Sequence, residues 1–267
     1  METVTFTKAP GLPGVELKSV YRSRRLWTRY NESYAFCAIL EANSRWRYRR
    51  QTHAATAGTV VLMEPGETHV TVEALRPASF RTLFVRPEVI DEVRLELGWT
   101  QLPHLWAPFT RDPRVWRALT NFDGLLDLPH SRLEGDSRLV ACIETILQSG
   151  AEAVPVGSMV RSDPAAVRHV RAQLQERFAE DISLEQLAAG VKLSRFYLLR
   201  LFRLHTGMAP HTFQLQLRLT RAKELLKRSI PSGEIALRVG FFDQSHFTRH
   251  FTRTVGVSPG RYAALLR

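Results

Sequence analysis

The sequence predicts an α+β chain of two domains: a β-rich N-terminal half, then an all-helical C-terminal part. Three observations predict it. Short β segments bounded by Asn, Gly and Pro crowd residues 15–87. A degenerate helical repeat fills the last hundred residues. The basic charge is concentrated in that repeat. The chain has 267 residues with 37 Lys+Arg against 26 Asp+Glu, a net +11. Residues 160–267 hold 18 of those basic residues and 8 of the acidic ones, leaving 19 against 18 for the rest. A diffuse excess would read as a solvated face, whereas concentration in one segment points to a polyanionic partner.

Composition narrows the class further. With 44% hydrophobic and 24% charged residues the chain is neither collagen-like nor disordered. Cys37 and Cys142 are too few for a disulfide framework and read as reduced thiols of a cytoplasmic protein. The opening METVTFTKAPGLPG lacks the basic and apolar regions of a secretory signal, and no apolar run is long enough for a membrane span.

In chain order, the expected strands are Ala35–Leu40, Arg45–Arg49, Thr59–Met63, Val70–Glu73 and Phe80–Val85. In Arg45–Arg49 the alternation places Trp46 and Tyr48 on one face and Arg45, Arg47 and Arg49 on the other. Strands this short and closely spaced favour a small barrel or sandwich. Helical stripes follow: Ile90, Val93 and Leu97; Val115, Leu119, Phe122 and Leu126; and Val140, Ile143 and Leu147 within a helix over Ser137–Ser149. The domain division is therefore 1–148, a linker 149–163 (SGAEAVPVGSMVRSD), and 164–267.

Asp163-Pro164 opens the second domain with an N-cap and a first-turn proline, ahead of a stripe of Val167, Val170, Leu174 and Phe178. The repeat comes next. Leu187, Val191 and Leu193 recur 48 positions on as Ile235, Val239 and Phe241. After a one-residue insertion, Leu198, Arg200, Phe202, Gly207, Pro210 and Phe213 recur as Phe247, Arg249, Phe251, Gly256, Pro259 and Tyr262. Each copy reads as short helix, tight turn, second helix and Gly-x-x-Pro exit, the helix-turn-helix unit. Ser183 with Gln186 forms a capping box; Ser194 and Asp243 cap the two second helices, and Gly207 and Gly256 end them. A helix over Pro210–Arg228, with Leu215, Leu219, Ala222 and Leu226 on one stripe, joins the copies and spans roughly 28 Å. That length suits two units about one DNA turn apart.

The second helices should present the chemistry. In the first, Leu198 and Phe202 face inward while Phe196, Leu199, Arg200 and Arg203 share an outer face. In the second, Phe247 and Phe251 face inward while Ser245, His246, Arg249 and Arg253 face outward. Arginine's planar fork can donate to guanine O6 and N7 together, and apolar side chains can meet thymine methyls. Leu199 beside two arginines has a plainer reading as a residue partly buried against a neighbouring helix. A helical bundle with duplicated architecture is the plainer reading of the repeat as a whole.

The last hundred residues resemble the AraC/XylS family of bacterial transcription regulators. The stretch IALRVGFFDQSHFTRHFTRTVGVSPGRYAALLR matches the signature around the family's second unit, and LSRFYLLRLFRLHTGMAPHTF matches the first. The resemblance implies an all-α double helix-turn-helix domain whose second helices enter consecutive major grooves. It places base reading on Phe196, Leu199, Arg200, Ser245, His246 and Arg249. Phosphate contact falls to Ser194, Arg195, Arg203, Gln244 and Arg253. Lys192 departs from the pattern, standing where the second copy has Gly240 in the turn. At φ > 0 it would cost about 1 kcal/mol over glycine.

AGTVVLMEPGETHVTV, residues 57–72, resembles a conserved segment of cupin-type sensor domains. The resemblance implies a cupin-like N-terminal β-barrel with dimerisation helices and an effector pocket among Trp46, Tyr48, Met63 and His69. Trp46, Tyr48 and Met63 also read as plain barrel core, and His69 as a satisfied turn histidine. A metal enzyme with a DNA-binding tail is the alternative. The upstream strands lack His-x-His, which leaves His69 without the three or four ligands a metal needs. No metal, cofactor or catalytic residue is therefore expected. The expected partners are double-stranded promoter DNA, a second copy of the chain, a small-molecule effector and RNA polymerase, with no membrane. A nonspecific DNA binder is the remaining alternative.

Overall fold

The computed structural model describes residues 2–9, 12–96, 99, 104–150, 163–228 and 230–264. The chain divides into two compact units. One comprises Met1–Leu128 and Arg138–Met159; the other comprises Pro129–Ser137 and Val160–Arg267. Most of the expected linker, 151–162, lies outside the described residues.

The first unit is built on an antiparallel sheet, eight-stranded among the described residues. Its strands are β1 (Thr3–Lys8), β2 (Val15–Ser23), β3 (Thr28–Tyr30), β4 (Tyr34–Tyr48), β5 (Gln51–Thr56), β6 (Val60–Met63), β7 (Thr68–Val85) and β8 (Phe109–Thr110). The order is β1-β2-β7-β4-β6-β8, with β3 on β7 and β5 on β4. The four expected strands from Ala35 to Arg49 and Val70 to Val85 are two long ones, β4 and β7, paired over almost their whole length. Register shifts between Ile39 and Trp46 interrupt the inside–outside alternation. Bulges bend a strand without ending it, so a pattern-based reading sees two strands where the backbone makes one. The Trp46/Tyr48 alternation holds: both are buried, and Arg45 and Arg47 are exposed. Trp46, Tyr48, Val20, Cys37, Met63 and Phe80 share one apolar cluster.

Three helices follow: α1 (Pro87–Glu96), α2 (Pro113–Leu126) and α3 (Arg132–Gly150). Asp112 caps α2 by accepting from the Arg114 amide, and Pro113 occupies its first turn. α3 starts five residues before the expected Ser137 because the Ser131 hydroxyl accepts the Glu134 amide at 3.2 Å. The stripes expected on the dimerisation helices are already covered within one chain. Val115, Leu119, Phe122, Val140, Ile143 and Leu147 are all buried, and α2 packs on β4 and β7.

The second unit is helical: α4 (Pro164–Glu176), α5 (Leu184–Gly190), α6 (Arg195–Thr206), α7 (Pro210–Lys227), α8 (Ser232–Arg238), α9 (Gln244–Val255) and α10 (Pro259–Ala264). The repeat is reproduced group by group. In the turns, the Leu193 amide donates to Ala188 O and the Phe241 amide to Ala236 O, at 3.0 and 2.9 Å. Leu198 and Phe202 are fully buried, as are Phe247 and Phe251, each contributing about 1.5–3 kcal/mol of transfer free energy. Gly207 and Gly256 end α6 and α9 at φ +73° and +88°. The Ser183–Gln186 capping box and the Asp163 cap both form.

Candidate functional site

α9 shows how the sequence builds an open recognition face. Its N-terminus is fixed by Asp243, whose carboxylate accepts the His246 amide at 2.7 Å. Phe247 and Phe251 anchor one side in a cluster with Leu219, Leu226, Ile235 and Phe241. Four-residue spacing then lines up Ser245, Arg249 and Arg253 on the opposite side, and all three are exposed, with Gln244 exposed beside them. The Arg249 guanidinium extends towards the Pro129 carbonyl, 3.5 Å away.

His246 corrects the expectation of an outward histidine: it is only 4% exposed. Its ring packs on Phe241, Phe242 and His250, with centroids 4.7–5.5 Å apart. One helical step beyond Ser245 turns the side chain from the open face onto the aromatic turn. Burial first, and then the nearby Arg249 guanidinium, push its pKa down to about 4, so the ring is neutral at physiological pH.

α6 differs. Phe196 and Leu199 were expected on its outer face; they are 2% and 0% exposed. α6 contacts α4, α5 and α7, and α9 contacts α8 and α10 and, through Phe247 and Phe251, packs on Leu219 and Leu226 of α7. The difference lies in the side chains: where α6 carries Phe196, α9 carries Ser245. Arg195, Arg200 and Arg203 are half-buried, and Ser194 accepts the Tyr197 amide at 3.2 Å as N-cap.

Sequence reasoning missed Arg218 of α7, 5% exposed, which donates to Phe178 O at 2.8 Å and Glu180 O at 2.9 Å. Gln214 donates to the same Glu180 carbonyl at 3.0 Å. These bonds fasten α7, and so the spacing of the two copies, to the turn after α4. Burial lowers the Arg218 pKa to about 10, which leaves it charged.

In the sheet unit a small pocket opens among the inward residues. Three expected pocket residues line it: Trp46, Met63 and His69. His69 is a strand residue of β7, not a turn residue, and its ring stacks on Trp46 at 5.2 Å. Tyr48 is buried but outside the cavity lining; its hydroxyl donates to Glu67. Arg49, at φ +48°, holds the same turn through Glu64 and Glu67 at 2.7 Å each. Missed in the sequence were Lys18, Trp27 and Asn31, which line the cavity as well. Among the described residues no three His, Cys, Asp or Glu side chains gather as a metal would require.

Comparison with known proteins adds names to this geometry. Residues 187–264 match the model of a helix-turn-helix domain, and residues 20–143 match that of an AraC-like ligand-binding domain. The HTH-type transcriptional regulator YbfI of Bacillus subtilis (strain 168) is 26% identical over 80% of this chain and 78% of its own length. The HTH-type transcriptional activator RhaS of Escherichia fergusonii is 35% identical over 49% of this chain and half of its own length. A solved structure, the C-terminal domain of AraT, a response regulator from Geobacillus stearothermophilus, is 34% identical over 39% of this chain and 88% of that one, with a TM-score of 0.37. With a ligand-binding sheet domain and a duplicated helix-turn-helix domain on one polypeptide, the chain belongs to the AraC family of transcription regulators.

Proposed function

We propose that this regulator reads operator bases chiefly with α9 and anchors itself with α6, under the control of an effector held in the sheet-domain cavity. Ser245 and Arg249 are the base-reading residues of α9, and Gln244 and Arg253 its phosphate contacts. Arg200 of α6, expected to read a base, takes the anchoring role instead. Ser194, Arg195 and Arg203 meet phosphates there, and Phe196, Leu199 and His246 set helix position from beneath. The observation that carries this reading is the exposed row Ser245, Arg249 and Arg253 on a capped, buried-backed helix. A second chain, through bivalent engagement of paired sites, and RNA polymerase complete the proposed partners. The site of action is the cytoplasm, the role is regulation and not catalysis, and no cofactor is required. Among the described residues no helix is long and apolar enough to cross a membrane.

The test is selection of bound sites from a random DNA pool, followed by competition with random duplex. The proposal expects one conserved block per chain, read by α9, and specific binding ~10³-fold or more above nonspecific binding. Equal affinity for selected and random DNA would leave a nonspecific binder. Operator affinity unchanged by every compound that binds the cavity would remove the effector role.

A further inference from the structure

Phe242 is a residue that the second helix-turn-helix copy has and the first lacks. Phe241 stands 48 positions after Leu193, whereas Asp243 stands 49 after Ser194. The insertion between the two halves of the repeat therefore falls on Phe242. A residue added to a tight turn is ordinarily small or polar. This one is a phenylalanine, and it stays 52% exposed. The aromatic residue before it, Phe241, is 4% exposed and belongs to the core around Phe247.

The inserted ring has a fixed seat. His246, buried beside it, stacks on it with centroids 5.5 Å apart and ring planes 29° from parallel. The next residue, Asp243, is tied to α9 by its bond from the His246 amide. Phe242 therefore stands just ahead of the N-cap, at the end of α9 where the exposed row Ser245, Arg249 and Arg253 begins. In a helix-turn-helix unit the N-terminal residues of the second helix are the ones that reach base edges. A phenyl ring has no hydrogen bond to give a phosphate or a base. What it can recognise in the major groove is the 5-methyl group of thymine.

We propose that Phe242 is a further base-reading residue, whose ring takes the 5-methyl group of a thymine at the edge of the block read by α9. The inference rests on α9 being the reading helix and adds an apolar contact to its polar row. The first copy, without the insertion, has no equivalent.

The experiment uses the full chain and a duplex recovered by site selection. Each thymine of the conserved block is replaced in turn by uracil, which removes the methyl group and leaves the base-pairing edge unchanged. Affinities are measured by binding titration at one salt concentration. One replacement should weaken wild-type binding by about fourfold, the effect of exposing one buried methyl, and the others by less than about twofold. Phe242→Ala should bind the thymine and uracil forms of that duplex equally, and site selection with it should lose the thymine preference at that position. Phe242→Leu, which stays apolar, should keep the preference. If Phe242→Ala fails to fold, Phe242→Gln, which keeps bulk over His246, takes its place with the same expectation. A ring that merely covers His246 would make Phe242→Ala weaken every duplex alike and leave the thymine-to-uracil ratio at its wild-type value, and that result overturns the inference. So does a wild-type block with no thymine preference, or one in which no uracil replacement matters. The underlying reading fails separately: if Arg249→Ala keeps the full base preference, α9 is not the reader and this inference falls with it. A preference that depends on Arg249 but shows no methyl effect removes Phe242 alone.

Discussion

The two helix-turn-helix copies share caps, turns, buried pairs and exit prolines, yet they leave different surfaces. α9 keeps a polar row open over two aromatic anchors, whereas α6 is buried along most of its circumference, with Phe196, Leu198, Leu199, Leu201 and Phe202 all at 2% exposure or less. Duplication preserved what a unit needs to fold; the side chains at the matched positions, Phe196 against Ser245, decided what each can show to a ligand. The turn residue makes the same point. Gly240 and Lys192 both sit at positive φ, +86° and +54°. At Gly240 a Cβ would stand 2.2 Å from the Ala179 carbonyl oxygen, so the second turn demands glycine for space as well as conformation. The first turn carries lysine at a conformational cost alone.

That contrast sets the largest expected effect. Gly240→Ala should lower stability by about 3 kcal/mol, from backbone overlap added to left-handed strain, seen as a lower urea midpoint. A change below half a kcal/mol would mean the two turns are equivalent. His246 has a counterpart in Tyr197, so only the second copy carries an imidazole at this position. The folded His246 pKa, about 4, lies below the ordinary 6.5. The unfolded chain therefore binds the extra proton first, and stability is lost as pH falls from about 6.5 to about 4, by up to about 3 kcal/mol. The groups facing the ring are Asp243, Arg249, Arg218, His130 and His250. His246→Gln should flatten it in unfolding curves taken across that range; an unchanged slope would contradict the burial.

At the DNA, Arg249→Ala should cost ~1–3 kcal/mol of operator affinity and relax one base position. Arg200→Ala should weaken all sequences alike, by binding titration. The caps come next: Asp243→Ala and Ser194→Ala should each cost about 1 kcal/mol by denaturant unfolding, and near-equal losses would confirm that the copies share their skeleton. Smallest is Lys192→Gly, expected to stabilise by up to about 1 kcal/mol, where Gly240→Ala destabilises.

Much of this was legible in the sequence because it is local. N-caps, left-handed glycines and first-turn prolines act within four residues, so Ser194, Asp243, Gly207, Gly256 and Pro210 could be placed without a fold. The strand faces of Trp46 and Tyr48 were legible for the same reason. What escaped depends on neighbours distant in sequence. Nothing around Leu199 says that α4, α5 and α7 all close on α6, and helical spacing alone cannot separate a half-open face from a covered one. Lys18 escaped because both sides of β2 are covered: Leu17 and Val20 are buried alongside it, so alternation offers no outward face to compare. Bulges hid the continuity of β4 and β7 by breaking the same alternation.

The most direct test of unequal copies is parallel site selection with the wild-type chain, Arg249→Ala and Arg200→Ala, at one salt concentration. The account predicts that Arg249→Ala loses preference at a single position of one conserved block, while Arg200→Ala returns the wild-type pattern at lower yield. Loss of a base preference with Arg200→Ala, and an unchanged pattern with Arg249→Ala, would contradict it.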